Sequence, residues 1–350
     1  MKNLLTPQAL QAGDRIAAVS LSWGGPGSYP EQYELGKRQL EAAFGVEVVD
    51  MPNSRKPAEW VWRNPEARAE DLMMAFEDSS IHGIFSTIGG DDSIRLLPYL
   101  HLDVIHTNPK VFMGYSDSTI THMACLKAGV RSYYGPSIMA GFGERGGILP
   151  FTEACVRQTL FEPRANWCLP QNNGPWVTEV VPWEEPVDNG RTRPRETPTE
   201  WRWLQGEGHV NGRLLGGCLD VLDFLRGTEF WPAREHWQGA ILFLETSEDA
   251  PPPANVSYFL RCLAAMGLLQ KLNGLLFGRP GGCRPERFGD YDEAILKVVR
   301  DEVGLDIPVI THLDFGHTDP MWVLPQGALI DIDCRARKLV LGDRATQPRA

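Results

Sequence analysis

The sequence has no excess of positive charge, no long apolar run and no paired cysteine motif. Its 350 residues carry 34 Lys and Arg against 45 Asp and Glu, a formal net charge of −11. Nucleic-acid polymers and anionic membranes bind concentrated positive charge, so we expect neither as a partner. No apolar run approaches the ~20 residues that span a bilayer. The N-terminal MKNLLTPQALQAGDR also lacks the apolar core of a secretory signal.

The cysteine pattern and the glycine pattern exclude further classes of protein. The seven cysteines are scattered and none forms a C-x-x-C pair, which argues against a disulfide framework and against a cysteine zinc site. Neither a G-x-G-x-x-G motif nor a P-loop is present, so a nucleotide cofactor has no support. We therefore expect a cytoplasmic protein that uses no metal and no cofactor.

The length and composition favour a two-domain globular protein. Charged residues make up 23% and aromatic residues 9% of the chain, which are ordinary values for folded domains. The chain is long enough for two domains of roughly 100–200 residues each. We expect an N-terminal α/β domain at 1–165, a connector at 166–205 and a C-terminal domain at 206–345.

Short apolar strands alternate with amphipathic helices on both sides of the connector, which predicts parallel sheets covered by helices. The predicted N-terminal elements are strands at 16–21, 46–51, 83–88 and 111–115 and helices at 31–44 and 65–76. The predicted C-terminal elements are strands at 240–244, 274–277, 309–311 and 328–332 and helices at 218–225, 254–268 and 291–303. We expect the last ten residues to form a frayed tail.

The connector is rich in proline and tryptophan. Residues 161–205 hold seven prolines and five of the eleven tryptophans, and the prolines argue against a long helix or a central strand. An extended segment with room for edge strands fits this composition. The tryptophans either pack the connector onto the two domains or, for at least one of them, form an aromatic surface that faces a substrate.

The stretch around Ser116 places this residue between a strand and a helix. An apolar strand runs into Gly114, a helical pattern begins at once, and Gly129 suits the end of that helix. Such a turn is the geometry of a nucleophile elbow, which exposes a serine hydroxyl beside the N–H groups of a helix N-terminus. The pattern departs from the usual one at Ser118, where glycine is common. Ser116 or Asp117 could instead be a plain helix N-cap.

A second predicted strand ends in two glycines. Gly89 and Gly90 allow close approach of the backbone, and their N–H groups could hold an anion or supply half of an oxyanion hole. Asp91 and Asp92 argue against a phosphate at this place. The alternative is an ordinary strand–helix turn with Asp92 as the N-cap.

A serine nucleophile needs a base, and the base needs a residue that orients it. Of the eight histidines, His317 is the candidate base because it lies on a glycine- and proline-bearing loop after an apolar strand, whereas His312 falls in or at the end of that strand. Glu245 directly follows a continuous apolar run, at the edge where open-sheet sites assemble. His317 could also be structural and Glu245 solvated or helix-capping, with Glu248 and Asp249 as less constrained alternatives.

The motifs resemble the LD-carboxypeptidase and microcin-immunity serine peptidases and occur in the order typical of that family over most of the chain. They are GDRIA at 13–17, STIGGDDS at 86–93, GYSD at 114–117, GRLLGG at 212–217, ILFLE at 241–245 and FGH at 315–317.

The resemblance implies a catalytic triad of Ser116, His317 and Glu245, with an oxyanion hole formed by the backbone N–H groups of Gly90 and Asp117. It also implies an α/β fold with a flavodoxin-like parallel-sheet N-terminal domain and a smaller, swivelling β/β/α C-terminal domain. Members of the family are commonly homodimers, and no metal or cofactor is implied.

Within the family, the Gly-Gly-Asp-Asp-Ser form at 89–93, the tryptophan-rich connector and the chain length resemble the microcin C immunity branch. Enzymes of that branch cleave an amide between a peptidyl or aspartyl carbonyl and a nucleotide-like phosphoramide, and a connector tryptophan stacks on the base. Trp183 is the matching residue here, and Gly89 is a second candidate for substrate binding.

The expected substrate is therefore a small peptide or a peptidyl- or aminoacyl-nucleotide. One alternative is a murein tetrapeptide LD-carboxypeptidase of cell-wall recycling. Another is a non-catalytic protein that sequesters a peptide or nucleotide, although a binder has no need for a triad.

Overall fold

The computed structural model describes residues 3–179 and 181–349, so the predicted ranges are compared only over these residues. Positions 1 and 2 of the predicted N-terminal domain and position 180 of the predicted connector lie outside them. The strands are β1 (Arg15–Val19), β2 (Glu47–Asp50), β3 (Gly83–Ser86), β4 (Val111–Gly114), β5 (Tyr133–Tyr134), β6 (Trp167–Cys168), β7 (Arg202–Gln205), β8 (His209–Cys218), β9 (Ala240–Glu245), β10 (Gly274–Gly278), β11 (Val309–Leu313), β12 (Leu324–Pro325), β13 (Leu329–Asp333) and β14 (Lys338–Leu341).

The helices cover these strands. They are α1 (Gly25–Ser28), α2 (Pro30–Phe44), α3 (Ala58–Arg63), α4 (Pro65–Glu77), α5 (Leu102–Thr107), α6 (Thr119–Lys127), α7 (Pro150–Val156), α8 (Leu219–Leu225), α9 (Arg234–Trp237), α10 (Pro253–Ala265) and α11 (Phe288–Leu296). Short 3₁₀ turns lie at Ser93–Tyr99, Ser116–Ser118, Leu269–Lys271 and Pro285–Arg287, and π-helical turns lie at Arg157–Phe161 and Lys297–Glu302.

The N-terminal sheet is parallel apart from one edge. Its order is β12-β5-β4-β3-β1-β2, and the five strands from the first part of the chain all pair in parallel. That succession, 2-1-3-4-5, is the flavodoxin-like order, so the predicted fold class is confirmed. The strands β3 and β4 are buried over their whole length, as expected for strands with both faces covered.

The second sheet is larger and mixed. Its order is β6-β14-β13-β8-β9-β10-β11-β7, with parallel pairing from β8 to β11 and antiparallel pairing outside them. The four predicted C-terminal strands are confirmed, but β8 and β14 were missed. The β8 strand contains Gly212, Gly216 and Gly217, and glycine weakens the sequence pattern of a strand. The swivelling of this domain stays a prediction.

The two ends of the connector lie at opposite edges of the second sheet. The strand β6 pairs with β14 at one edge, and β7 pairs with β11 at the other, so the expected edge strands are present. Trp176 and Trp201 are buried, whereas Trp183 is only half-buried. Packing in the protein interior therefore accounts for Trp176 and Trp201. Part of the Trp183 ring remains accessible to other groups. The exact domain boundaries stay a prediction.

The expected frayed tail is wrong for residues 341–349. The backbone of Gln347 pairs with the N-terminal segment, donating to Pro7 and accepting from Ala9 at 2.8 and 2.7 Å. The Arg349 guanidinium binds the Asp14 carboxylate through two hydrogen bonds. These partners are more than three hundred residues away in sequence, which is why local composition did not reveal them.

Across residues 3–179 and 181–349, no helix combines the length and the apolar character that a membrane crossing requires.

Candidate functional site

A cavity of about 420 Å³ brings together residues from both sheets and from the connector. Its lining includes Gly90 and Ser116 from the N-terminal part, His317 and Glu248 from the C-terminal part, and Trp183 from the connector. Four of these residues follow the carboxyl ends of strands, where open α/β sheets place their ligands.

Ser116 occupies the sharp turn between β4 and α6. Its φ of +59° lies in the left-handed region, which a non-glycine residue adopts only when its surroundings enforce it. The Thr119 hydroxyl donates to the carbonyl of Ser116 at 2.7 Å, and the Ser116 N–H donates to the Tyr134 hydroxyl at 3.0 Å. This is the strained geometry of a nucleophile elbow. The helix α6 has Ser118 as its N-cap residue, so Ser116 and Asp117 are not plain caps of it.

The glycines at 89 and 90 close the cavity beside Ser116. A Cβ on Gly89 would lie 2.9 Å from the Ser116 Oγ, so only glycine permits this approach. Gly90 has a φ of +140°, where other residues are rare, and a Cβ there would lie 2.4 Å from the Ser22 Oγ. Within the described residues, neither the Gly90 N–H nor the Asp117 N–H donates a hydrogen bond. Both amides are therefore available to an oxyanion.

The side chain of Asp117 joins the two loops that carry these amides. Its Oδ2 accepts the Ser93 N–H at 2.8 Å, and the Ser93 hydroxyl donates to the Asp117 carbonyl at 2.8 Å. Burial raises the pKa of Asp117. Asp92 does begin the 3₁₀ turn at Ser93, but its side chain does not cap the turn, because it pairs with Arg68 at 2.7 Å.

Glu245 and His317 form a buried pair. The Nδ1 of His317 lies 2.7 Å from Oε2 of Glu245, which ends β9, and the Tyr134 hydroxyl donates to the other carboxylate oxygen. Burial lowers the pKa of His317, but Glu245 and then Glu248 outweigh that effect and raise it to about 10. His312 lies in β11, 3.2 Å from Asp292, and does not line the cavity. The structure thus places His317, and not His312, beside Glu245 and in the lining of the cavity that Ser116 also lines.

An aromatic cluster forms one wall of the cavity. The Trp183 ring stacks on Trp23, with centroids 6.0 Å apart and planes at 22°, and it contacts the edge of Tyr29 at 5.8 Å. All three residues line the cavity. Sequence reasoning missed Trp23 and Tyr29, although Trp23 shares a signal with the other site residues, since it follows a strand of the N-terminal sheet.

Two arginines, the buried Arg145 and the partly buried Arg193, bond the connector to the lining of the cavity. Arg193 of the connector pairs with Glu144 and, at 2.7 Å, with Asp319, two residues beyond His317. Arg145 donates to three carbonyl groups of the segment that carries Trp183. The connector is therefore bonded to both halves of the site.

Within the described residues, one group of side chains has ligand atoms close enough together for a metal ion. Single ligand atoms of Cys218, Glu245 and His317 lie within 4.8 Å of one another. Burial raises the pKa of the Cys218 thiol well above its ordinary value, and metal binding requires the thiolate. Glu245 and His317 already share a hydrogen bond. These observations favour a hydrogen-bonded pair over a metal centre, and the absence of a metal stays a prediction.

Each half of the chain matches one domain of a known family. The profile of the LD-carboxypeptidase N-terminal domain matches residues 16–135, and the profile of the LD-carboxypeptidase C-terminal domain matches residues 211–332. The chain is 32% identical over 272 residues to the microcin C7 self-immunity protein MccF of Escherichia coli, covering 76% of this chain and 75% of that protein.

Two solved structures with the same fold contain AMP or aspartyl sulfamoyl adenosine. A MccF-like protein from Streptococcus pneumoniae in complex with AMP has a TM-score of 0.84 and 31% identity, covering 94% of this chain and 98% of that one. The microcin C7 self-immunity protein MccF in complex with aspartyl sulfamoyl adenosine has a TM-score of 0.84 and 26% identity. The match covers 98% of this chain and 100% of that one.

Proposed function

Since the chain belongs to the LD-carboxypeptidase family and is a serine-type carboxypeptidase hydrolase, we propose that it hydrolyses an amide bond with a triad of Ser116, His317 and Glu245. The observation that carries this proposal is that Ser116 and His317, which follow two different strands, line one cavity, while Glu245 at the end of a third strand is hydrogen-bonded to His317. Ser116 stands on a strained elbow, and a buried carboxylate holds His317 at 2.7 Å.

In the proposed mechanism, the Ser116 Oγ attacks the amide carbonyl while Nε2 of His317 takes the hydroxyl proton. The same imidazole then returns the proton to the leaving amine. Glu245 fixes the tautomer of His317 through Nδ1–H and stabilises the imidazolium. The N–H groups of Gly90 and Asp117 bind the oxyanion, and each contributes ~3 kcal/mol to lowering the barrier. Water then releases the acyl group from Ser116.

For the substrate, we infer a peptidyl- or aminoacyl-nucleotide joined through an amide-like bond. The cluster of Trp23, Tyr29 and Trp183 supports this inference, because aromatic side chains stack on bases of any kind. Because Gly89 has no Cβ, the backbone beside Ser116 leaves room for the acyl group to approach. The relatives that contain AMP or aspartyl sulfamoyl adenosine support the same class of substrate. A murein tetrapeptide has no nucleobase that could stack on this aromatic cluster.

One assay separates the proposed activity from its alternatives. The protein is incubated with an aminoacyl-nucleotide amide and with a murein tetrapeptide, and the products are identified by mass spectrometry. We expect cleavage of the nucleotide substrate at the amide bond. Cleavage of the tetrapeptide alone would favour cell-wall recycling, and binding of either compound without cleavage would favour a sequestering protein.

Replacing the nucleophile tests the triad. Ser116→Ala should lower kcat by on the order of 10⁴–10⁶, because the remaining site can position but cannot acylate the substrate. Its melting temperature should stay close to that of the wild type, since the removed hydroxyl makes no hydrogen bond within the described residues. Near-wild-type hydrolysis by this variant, with contamination excluded, would refute the assignment.

The proposal includes a cytoplasmic homodimer, which is the common assembly of the family that the motifs resemble. Light scattering coupled to size-exclusion chromatography tests the assembly, with a mass near twice 39.1 kDa expected.

A further inference from the structure

One carboxylate at the cavity is held by neither an arginine nor a tyrosine. Three of the four carboxylates in the lining have such partners: Glu144 and Asp319 pair with Arg193, and Glu184 accepts the hydroxyl of Tyr29. The fourth, Glu248, has His317 as the only ion-pair partner of its side chain among the described residues. Its side chain is 60% exposed, whereas Glu245 on the other side of the same imidazole is fully buried. Glu248 is therefore free to turn toward a ligand.

The contact between Glu248 and His317 involves the nitrogen that the proposed mechanism needs. Oε2 of Glu248 lies 3.0 Å from Nε2, while Nδ1 is held by Glu245. The contact is close but poorly aligned, because Nε2 is a buried atom without a well-oriented hydrogen-bond partner among the described residues. An imidazole between two carboxylates favours the protonated state, and protonated His317 cannot take a proton from Ser116.

The other titratable groups around His317 do not compete for this role. Tyr115 contacts its ring with centroids 4.9 Å apart, Cys218 lies on the Glu245 side, and Asp319 on the same loop is occupied by Arg193. Burial raises the pKa values of Tyr115 and Cys218 well above their ordinary range, so both are neutral near pH 7. Glu248 is therefore the charged neighbour of Nε2 that can move toward or away from it.

The backbone under Glu248 is fixed although its side chain is exposed. The Ser247 N–H donates to the Asp220 carboxylate at 3.0 Å, and the Ala250 N–H donates to the Ser247 carbonyl at 3.2 Å. Because the backbone of this turn is fixed and the Glu248 side chain is exposed, the carboxylate can move without a rearrangement of β9. The four carboxylates of the lining also outnumber its two arginines, which favours a cationic ligand.

We propose that Glu248 is a specificity-determining residue that recognises an ammonium group in the acyl part of the substrate. In the empty site, Glu248 covers Nε2 of His317. A substrate with a free ammonium group near its scissile carbonyl draws this carboxylate away, which frees Nε2 to take the Ser116 proton. A substrate that lacks the ammonium group leaves the contact in place and reacts slowly. This inference rests on the proposed function.

The test compares an aminoacyl-nucleotide amide that has a free α-ammonium group with its N-acetyl derivative. We expect the wild type to favour the free amine by about tenfold in kcat/KM, the size of one modest ionic contact. Glu248→Gln should reduce that preference to near unity. For the N-acetyl substrate, the acidic limb of the pH profile should move to lower pH in Glu248→Gln, because removal of a negative charge lowers the pKa of His317.

The matched control is Asp249→Asn. Asp249 is the adjacent exposed carboxylate, it does not line the cavity, and its replacement removes the same charge from the same turn. This variant should keep the wild-type preference and pH profile. Melting temperatures of both variants show whether either substitution disturbs the fold.

A binding measurement tests recognition of the ammonium group separately from turnover. Calorimetry with aspartyl sulfamoyl adenosine and its N-acetyl form should show about tenfold tighter binding of the free amine to the wild type, and no difference in Glu248→Gln. If the wild type binds this pair with the expected preference but cleaves neither amide, the proposed function fails and the recognition stands. If it cleaves both amides equally, or if Glu248→Gln keeps the preference, the inference is overturned and the proposed function stands.

Discussion

Tyr134 joins the two halves of the candidate site through one buried hydroxyl. The hydroxyl donates to Glu245 and accepts the N–H of Ser116 at 3.0 Å. It therefore holds both the strained elbow and the carboxylate that orients His317. Burial raises the pKa of Tyr134 well above its ordinary value, so the hydroxyl stays protonated and can donate.

Tyr134→Phe should lower kcat by up to about 100-fold, because small displacements of reacting groups are costly to rate. It leaves the buried Ser116 N–H without its acceptor, which should cost ~1–3 kcal/mol of unfolding free energy. Steady-state kinetics and chemical denaturation measure the two effects.

The control is Tyr133→Phe, which removes a neighbouring buried hydroxyl that donates to the Ala345 carbonyl at 2.8 Å. This variant should lose stability but keep kcat. Equal losses of kcat in the two variants would show that Tyr134 acts only through the fold.

The group of Cys218, Glu245 and His317 leads to a prediction about metals. Because the thiol is protonated and the other two residues bind each other, activity should persist after dialysis against EDTA. Loss of activity on chelation, restored by Zn²⁺, would contradict this expectation and would identify the group as a metal centre.

At the scale of elements, a buried ion pair anchors the loop that follows β11. Nη2 of Arg279 lies 2.6 Å from Oδ1 of Asp314, and both side chains are inaccessible to solvent. The second carboxylate oxygen accepts the Trp201 indole N–H at 2.7 Å and the Asn172 N–H at 3.0 Å, both from the connector. Burial raises the pKa of Asp314 despite the opposing effect of Arg279. The pair thus bonds the connector to the loop that carries His317.

Arg279→Met should lower the unfolding free energy by ~3–5 kcal/mol, because it leaves Asp314 buried without its cation. The double variant Arg279→Met with Asp314→Asn should lose less, since an amide keeps the acceptor for Trp201 and carries no charge. Urea denaturation of the three proteins gives the comparison. A double variant less stable than Arg279→Met would show that the charge of Asp314 is itself stabilising.

At the scale of the molecule, the cavity exists only where the two sheets and the connector meet. Trp183 comes from the connector, its partners Trp23 and Tyr29 come from the N-terminal part, and His317 comes from the C-terminal part. A change in the aromatic wall should therefore affect one portion of the substrate and leave the chemistry at Ser116 intact.

Trp183→Ala should lower kcat/KM for a nucleotide-bearing substrate by roughly 5- to 150-fold, because stacking on an aromatic ring contributes ~1–3 kcal/mol per base. A peptide substrate without a base should lose much less. Trp62→Ala is the control, since Trp62 is exposed and lies outside the cavity. Equal losses for both substrates together with a lower melting temperature would leave Trp183 with a packing role and would weaken the nucleotide-directed proposal.

Strand ends were predictable from sequence because apolar periodicity is a local property. The strands that precede Ser116, Glu245 and His317 all appeared in that pattern, and their parallel pairing places the residues after them at sheet edges. The glycines at 89 and 90 were recognisable for the same reason, since they follow a buried strand. The order of the motifs then indicated the family.

Contacts between distant segments were decided only by the tertiary structure. Glu248 beside His317, Tyr134 between Ser116 and Glu245, and the stacking of Trp23 on Trp183 depend on loops whose directions no local pattern determines. The glycine-rich β8 and the paired C-terminal tail were missed because their partners, and not their own composition, stabilise them. The sequence by itself determined which chemical groups end the strands, because burial and periodicity act along the chain. The tertiary structure decided which of those groups touch, because packing brings together residues that are far apart in sequence.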